Sequence, residues 1–171
     1  CVITGAGCDH AAVKLACLRA GLLHAPLSPL LTATASGLSK LEAMVQICQP
    51  AIILSEDACL PALRKLEVPS SAEAVSLSRL VGDAESATGD HSVLPDECAR
   101  ITIDDNAAIY FTSGSTGNAK GVLITRRMIS AVQSAIAAHW PFFTSDHPAI
   151  ADWLPWHHVF GGLDNFFKMV W

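Results

Sequence analysis

Thr112, Ser113, Ser115 and Thr116 crowd into one short run with Gly114, Gly117, Gly121 and Lys120, between Tyr110 and Val122. Residues of these types at this spacing prepare a backbone to hold phosphate. The glycines let the chain approach an anion closely, so that successive N–H groups converge on one concavity. The hydroxyls add donors, and Lys120 supplies a mobile point charge on a long stem, which suits a phosphate tail that shifts during a reaction.

A Ser/Gly/Thr-rich turn is also what a solvent-exposed loop looks like. Here the flanks argue otherwise: Ala107-Ala-Ile-Tyr-Phe111 on one side and Val122-Leu-Ile-Thr125 on the other read as strands, so the run connects strands inside a core. It is not the phosphate loop of the common NTPases, which has glycine directly before the lysine and Ser or Thr directly after it. In this chain Ala119 precedes Lys120 and Gly121 follows.

Residues 110–121 resemble the phosphate-binding signature of the adenylate-forming superfamily: the acyl- and aryl-CoA synthetases, peptide-synthetase adenylation domains and luciferases. One departure is Ala119, where that pattern usually has proline; it frees the backbone before the lysine and removes no ligand group. A second stretch, Asp152-Trp-Leu-Pro-Trp-His-His-Val-Phe-Gly-Gly162, resembles the family's next motif, with His158 at its histidine position. The Trp-Leu-Pro-Trp opening, the double glycine and Arg126-Arg127-Met128 are most similar to feruloyl-CoA synthetases, the branch that activates hydroxycinnamic acids.

The resemblance implies attack of a carboxylate on the α-phosphate of ATP, giving an acyl-adenylate and pyrophosphate, then capture by the thiol of coenzyme A, with magnesium as cofactor. It assigns Thr112, Ser113, Gly114, Ser115, Thr116, Gly117 and Lys120 to the ATP phosphates, Lys120 offsetting charge as pyrophosphate leaves. His158 and Gly161 would line the acyl pocket. Trp153 and Trp156 either stack on an aromatic acid or are plain core packing. The family's magnesium, adenine and ribose ligands and its mobile C-terminal domain do not lie in these residues, so the chain reads as one partial domain, 1–171, inactive alone. Two alternatives stay open: an enzyme for a fatty or amino acid, and a non-catalytic nucleotide-binding fragment.

The elements that must position these residues alternate along the chain. Val2-Ile3-Thr4 reads as a strand and Ala11–Ala20 as a helix with Val13, Ala16 and Cys17 inward. Leu22-Leu23 opens another strand, Pro26 and Pro29 bracket a turn, and a helix from Ser36 or Ser39 carries Leu41, Met44, Val45 and Cys48. Ala51–Leu54 reads as a buried parallel strand, Asp57–Leu66 as a helix, and 82–100 as a long surface excursion. Met128–His139 is expected to be helical with Ile129, Val132 and Ile136 buried, and Ile150–Trp153 to be a strand delivering His158. Strand and crossover in this order predict a doubly wound, mostly parallel α/β sheet, which binds ligands at its strand ends. Gly5-Ala-Gly7 after the first strand suggests a dinucleotide fingerprint, but His10 fills the third glycine position, and a tight turn with Asp9 capping the helix is the better reading. Asp104-Asp105 is read as a turn rather than a magnesium site.

Composition bounds the rest. The 171 residues are 51% hydrophobic and 16% charged, with mean hydropathy +0.38, as expected of core belonging to something larger. A net charge of −5 offers no basic stripe for nucleic acid, and Lys14 and Arg19 break the N-terminal apolar run short of a membrane span. The six cysteines lack a Cys-x-x-Cys pair and read as buried, reduced thiols of a cytoplasmic protein; His157-His158 lacks metal-site spacing.

Overall fold

Four short strands lie side by side and all parallel in the order β2-β1-β3-β4: β1 (Val2–Ile3), β2 (Pro26–Leu27), β3 (Ile52–Ser55) and β4 (Glu73–Ser76). The computed structural model describes residues 1–86, 100–113, 119–146 and 148–170. Ile3 pairs with Leu27 on one side and Ser55 on the other, and Leu54 pairs with Val75. Because successive strand residues face opposite ways, β1 feeds two cores at once. Ile3 joins Leu27, Leu41, Val45, Ile53, Cys59, Leu63 and Leu66, whereas Val2 joins Val13 and Leu77. The first core is roofed by α2 (Ala35–Cys48) and α3 (Leu60–Leu63), the second by α1 (Cys8–Ala20) and α4 (Leu77–Ser86). Helices on both faces of a parallel sheet make the fold doubly wound, as the alternation predicts.

A second unit carries the candidate chemistry. Strands β5 (Asn106–Ser113) and β6 (Ala119–Thr125) pair antiparallel and lead into α5 (Arg126–His139). The hairpin joins the parallel sheet at His24, whose N–H donates to the Ala107 carbonyl at 3.0 Å and whose carbonyl accepts from Ile109 N–H at 2.9 Å. Downstream lie a short helix α6 (Phe142–Ser145), a π-helical turn Phe160–Asn165 and α7 (Phe166–Val170).

Several local expectations are corrected. The second strand is Pro26–Leu27, not Leu22-Leu23: Gly21 (φ 72°) ends α1 in the left-handed region, and Leu22 N–H turns back to the Cys17 carbonyl. Helix α1 starts at Cys8 with Gly7 as N-cap, two residues before the expected cap, so Asp9 sits inside the first turn and complements the helix dipole instead. Thr34, not Ser36 or Ser39, caps α2, its Oγ1 accepting from Gly37 N–H at 3.1 Å.

Pro61 splits the expected 57–66 helix into a 3-10 turn, Asp57–Cys59, and α3. Residues 82–86 complete α4, preceded by an unanticipated strand β4, while 87–99 lie outside the described residues. No strand forms at 150–153, because the Asp152 carboxylate takes the Leu154 N–H and the Asn165 amide at 3.0 Å each, closing a local turn instead of a ladder.

In α5 the inward residues are Ile129 and Gln133, with Val132 facing out; Gln133 reaches the Leu163 carbonyl at 3.5 Å. Of the described cysteines, all free, only Cys59 is fully buried and Cys8 is exposed; Cys98 lies outside the described residues. The Asp104-Asp105 pair behaves as a turn: Asp105 accepts from Thr102 N–H at 2.6 Å and Asp104 pairs with Arg127.

Candidate functional site

The hairpin register sets the geometry of the site. Thr112 stands directly opposite Lys120, and Tyr110 opposite Val122. Directly opposed residues share a face, as do residues two apart along one strand. Tyr110, Thr112 and Lys120 therefore belong to one face, while Ile109, Phe111 and Gly121 belong to the other. That second face packs on α2, where a Cβ at Gly121 would meet Ile47 at 3.6 Å. Thr112 and Lys120 are exposed, at the end of the hairpin where β5 leads on to β6. Gly114, Ser115, Thr116 and Gly117 lie outside the described residues, as does the side chain of Ser113.

Along the first face the hairpin runs into the 152–162 stretch. Tyr110 is fully buried, and its hydroxyl donates to the Trp156 carbonyl at 3.4 Å. Burial pushes that phenol's pKa well up, so it remains a neutral donor. Gly162 closes the contact: a Cβ there would overlap both the Trp156 carbonyl oxygen and the Tyr110 hydroxyl, so the turn and strand meet backbone to side chain with no room for another atom. The turn itself is held by Gly162 N–H donating to His158 O at 2.7 Å and His158 N–H donating to Pro155 O at 3.1 Å. Gly161 is buried beneath it, against Leu154 and Pro155.

The aromatic residues separate. Trp153 is 87% exposed, whereas Trp156 is half-buried, its ring edge-on to both His10 (5.5 Å) and Phe166 (5.0 Å). His158 is exposed and its ring lies 4.7 Å from that of His157. Burial, followed by the neighbouring His158, lowers His157 to about 4, which leaves it neutral at physiological pH.

Behind this turn lies a group of polar residues that no motif announced. Lys14, 3% exposed, donates to the Gly162 carbonyl and, at 3.4 Å, to the Tyr110 hydroxyl, with Phe166 and Phe167 rings 4.0 and 5.0 Å from its Nζ. Burial pushes its pKa down to about 7. The His10 and His24 rings lie alongside, tilted to one another with centroids 5.4 Å apart; burial lowers His10 to about 4 and holds His24 well below its usual range. Sequence offered one signal: His10 and Lys14 lie four apart on α1 beside Val13 and Cys17, so a polar pair shares the side of a helix that must face the core. Gly5 N–H is already taken by Glu56 Oε1 at 2.6 Å, and no cluster of three or more His, Cys, Asp or Glu able to hold a metal occurs among the described residues. No described helix is long and apolar enough to cross a membrane.

Known proteins share both the sequence and this architecture. The chain is 31% identical over 104 residues to a malonate–CoA ligase of Arabidopsis thaliana, covering 61% of this chain and 15% of that protein. It is 28% identical over 160 residues to a putative 4-coumarate–CoA ligase-like protein of rice, Oryza sativa subsp. japonica, covering 88% and 25%. It thus spans about a quarter or less of these relatives. The ATP-bound structure of MatB from Rhodopseudomonas palustris superposes with a TM-score of 0.72 at 22% identity, over 98% of this chain and 33% of that one, which establishes the fold. The model of the AMP-binding enzyme family matches residues 2–170, nearly every position from the first strand to the last helix; the chain belongs to that family.

Proposed function

We propose that this chain forms part of an enzyme that activates a carboxylic acid with ATP, making an acyl-adenylate and pyrophosphate, and then transfers the acyl group to the thiol of coenzyme A. One observation carries the reading: the hairpin face that ends in Thr112 and Lys120 is the face that, two residues earlier, packs Tyr110 against the 154–162 turn bearing His158. A phosphate-directed loop and an acid-directed turn on one side of one strand are what in-line attack of a carboxylate on an α-phosphate requires, because orientation of the two reactants supplies much of the rate.

In this scheme the 112–120 run holds the β- and γ-phosphates, and Lys120 offsets charge on the departing pyrophosphate. His158 and Gly161 border the acyl group beside the adenylate. Trp153, exposed, is free to stack on an aromatic acid, whereas Trp156 is committed to His10 and Phe166 and acts as the floor of the turn. Magnesium would screen the phosphate charges; among the described residues no group of three or more His, Cys, Asp or Glu could hold it. The acid we favour is a hydroxycinnamate, on the Trp-Leu-Pro-Trp and double-glycine pattern, and the free thiols support a reducing compartment such as the cytoplasm.

Pyrophosphate exchange into ATP tests the reading, comparing ferulate, malonate, a medium-chain fatty acid and amino acids in the protein that carries this chain. Ferulate-dependent exchange, cut about 100-fold or more by Lys120→Ala through loss of one charged transition-state contact, is the expected result. Exchange with another acid alone would overturn the hydroxycinnamate assignment, and exchange indifferent to Lys120→Ala would remove the loop from the mechanism.

A further inference from the structure

Lys14 is the least economical side chain in the interior. A leucine or methionine would fill the same aromatic cage without the cost of desolvating an ammonium. What lysine adds is a donor with reach, and both of its polar contacts are parts of the candidate site: the Tyr110 hydroxyl and the Gly162 carbonyl. We propose that Lys14 is a positioning residue, gripping the Gly162 carbonyl from the core side and so fixing the His158–Gly162 turn against β5.

The linkage runs through consecutive bonds. Lys14 Nζ holds Gly162 O; Gly162 N–H holds His158 O at 2.7 Å; Tyr110 Oη receives Lys14 Nζ and holds Trp156 O at 3.4 Å. A carbonyl oxygen has two lone pairs, so Gly162 O can accept from Lys14 without leaving its place in the π-helical turn. The titratable groups facing this ammonium are His10 from its own helix, His24 from the strand junction and Tyr110 from β5, with His157 of the turn beyond, next to His10. Burial keeps all four neutral near pH 7, so Lys14 is the group among them that changes charge there.

The effect on turnover rests on the adenylation reading; the hold on the turn does not, and the two are tested apart. By NMR on the intact chain, the Gly162 and His158 amide resonances should move with the titration of the Lys14 ammonium. In Lys14→Met, which keeps the volume and removes the donor, the Gly162 amide should exchange with solvent about tenfold faster, the weight of one net hydrogen bond, while the melting temperature stays level or rises. In the acid-dependent exchange assay the same variant should raise KM for the acid about tenfold, by the same loss of one bond, and leave KM for ATP unchanged. Gly162 and His158 amides that ignore the Lys14 titration in the wild type would overturn the proposal, whether or not the variant folds. A positive titration with no exchange activity for any acid would instead retain the positioning role and discard the adenylation reading.

Discussion

Gly161→Ala measures how tightly the candidate turn is built. A Cβ at this position would lie 2.6 Å from the Pro155 carbonyl oxygen, 2.9 Å from Leu154 Cβ and 3.0 Å from the Leu154 carbonyl oxygen, against ordinary contacts that begin near 3.4 Å. Two of the three neighbours are backbone atoms of a segment pinned by His158 N–H on Pro155 O and by the Asp152 carboxylate on Leu154 N–H, so they cannot swing away as a side chain would. Inserting one methyl into such a site costs about 3 kcal/mol, the upper part of the range for overpacking. The backbone at Gly161 is helical without a positive φ, so alanine regains up to ~1 kcal/mol of helix preference, leaving a net loss of about 2 kcal/mol. Urea unfolding read by circular dichroism gives the difference directly. Gly82→Ala is the internal control: it lies in α4 with no atom within 4 Å of its Cβ, and should stabilise by ~0.5–1 kcal/mol. A Gly161→Ala protein as stable as wild type would refute the close packing of the turn on Leu154 and Pro155.

Two pH-dependent outcomes follow from the buried charges. Lys14 has a folded-state pKa near 7 against 10.5 unfolded, so the unfolded chain binds more protons between those values and stability rises with pH across that interval. The slope, measured by urea titration between pH 7 and 9, has an upper bound of ~1.4 kcal/mol per pH unit, and Lys14→Met should flatten it; an equal slope in both proteins would contradict the burial of Lys14 as a strained ammonium. Glu56 behaves oppositely: its bonds from Gly5 N–H and the Thr4 hydroxyl hold its carboxyl below the usual range, so the stability it supplies is present above its unfolded pKa and lost as pH falls through the folded value. Glu56→Gln should cost about 1 kcal/mol at pH 7 and shrink the difference from wild type in acid; a difference that persists at pH 3 would show that the charge plays no part.

The features that sequence revealed are those written in neighbouring residues. Apolar runs at 2–4 and 51–54 with helical spacing between them disclose a parallel sheet with crossovers, and the apolar flanks of the 112–120 run disclose two connected strands, though not their antiparallel pairing. The residues that misled were those whose local preference yields to a partner far away or to a side chain nearby. Ile150–Trp153 has strand composition, yet Asp152 spends its carboxylate on Leu154 and Asn165. Val132 has the apolar character of a core position, yet Gln133 is the buried residue because the Leu163 carbonyl gives its amide a partner. Lys14 is legible as an interruption in an apolar run and as a polar neighbour of His10 on the inward side of α1; its partners on β5 and in the turn are fixed by topology, which spacing along α1 does not encode.

The same lysine bears on how the molecule comes together. Its two polar partners lie 96 and 148 residues away along the chain, and the His24–Ala108 junction closes a loop of similar reach. Contacts of that span repay the entropy of closure only after the shorter-range pieces have formed, which places them late in folding. The candidate site is thus assembled from the slowest contacts the chain makes. A partly folded population would carry its sheet and helices and still lack the site, so activity should report complete folding more faithfully than helix content does.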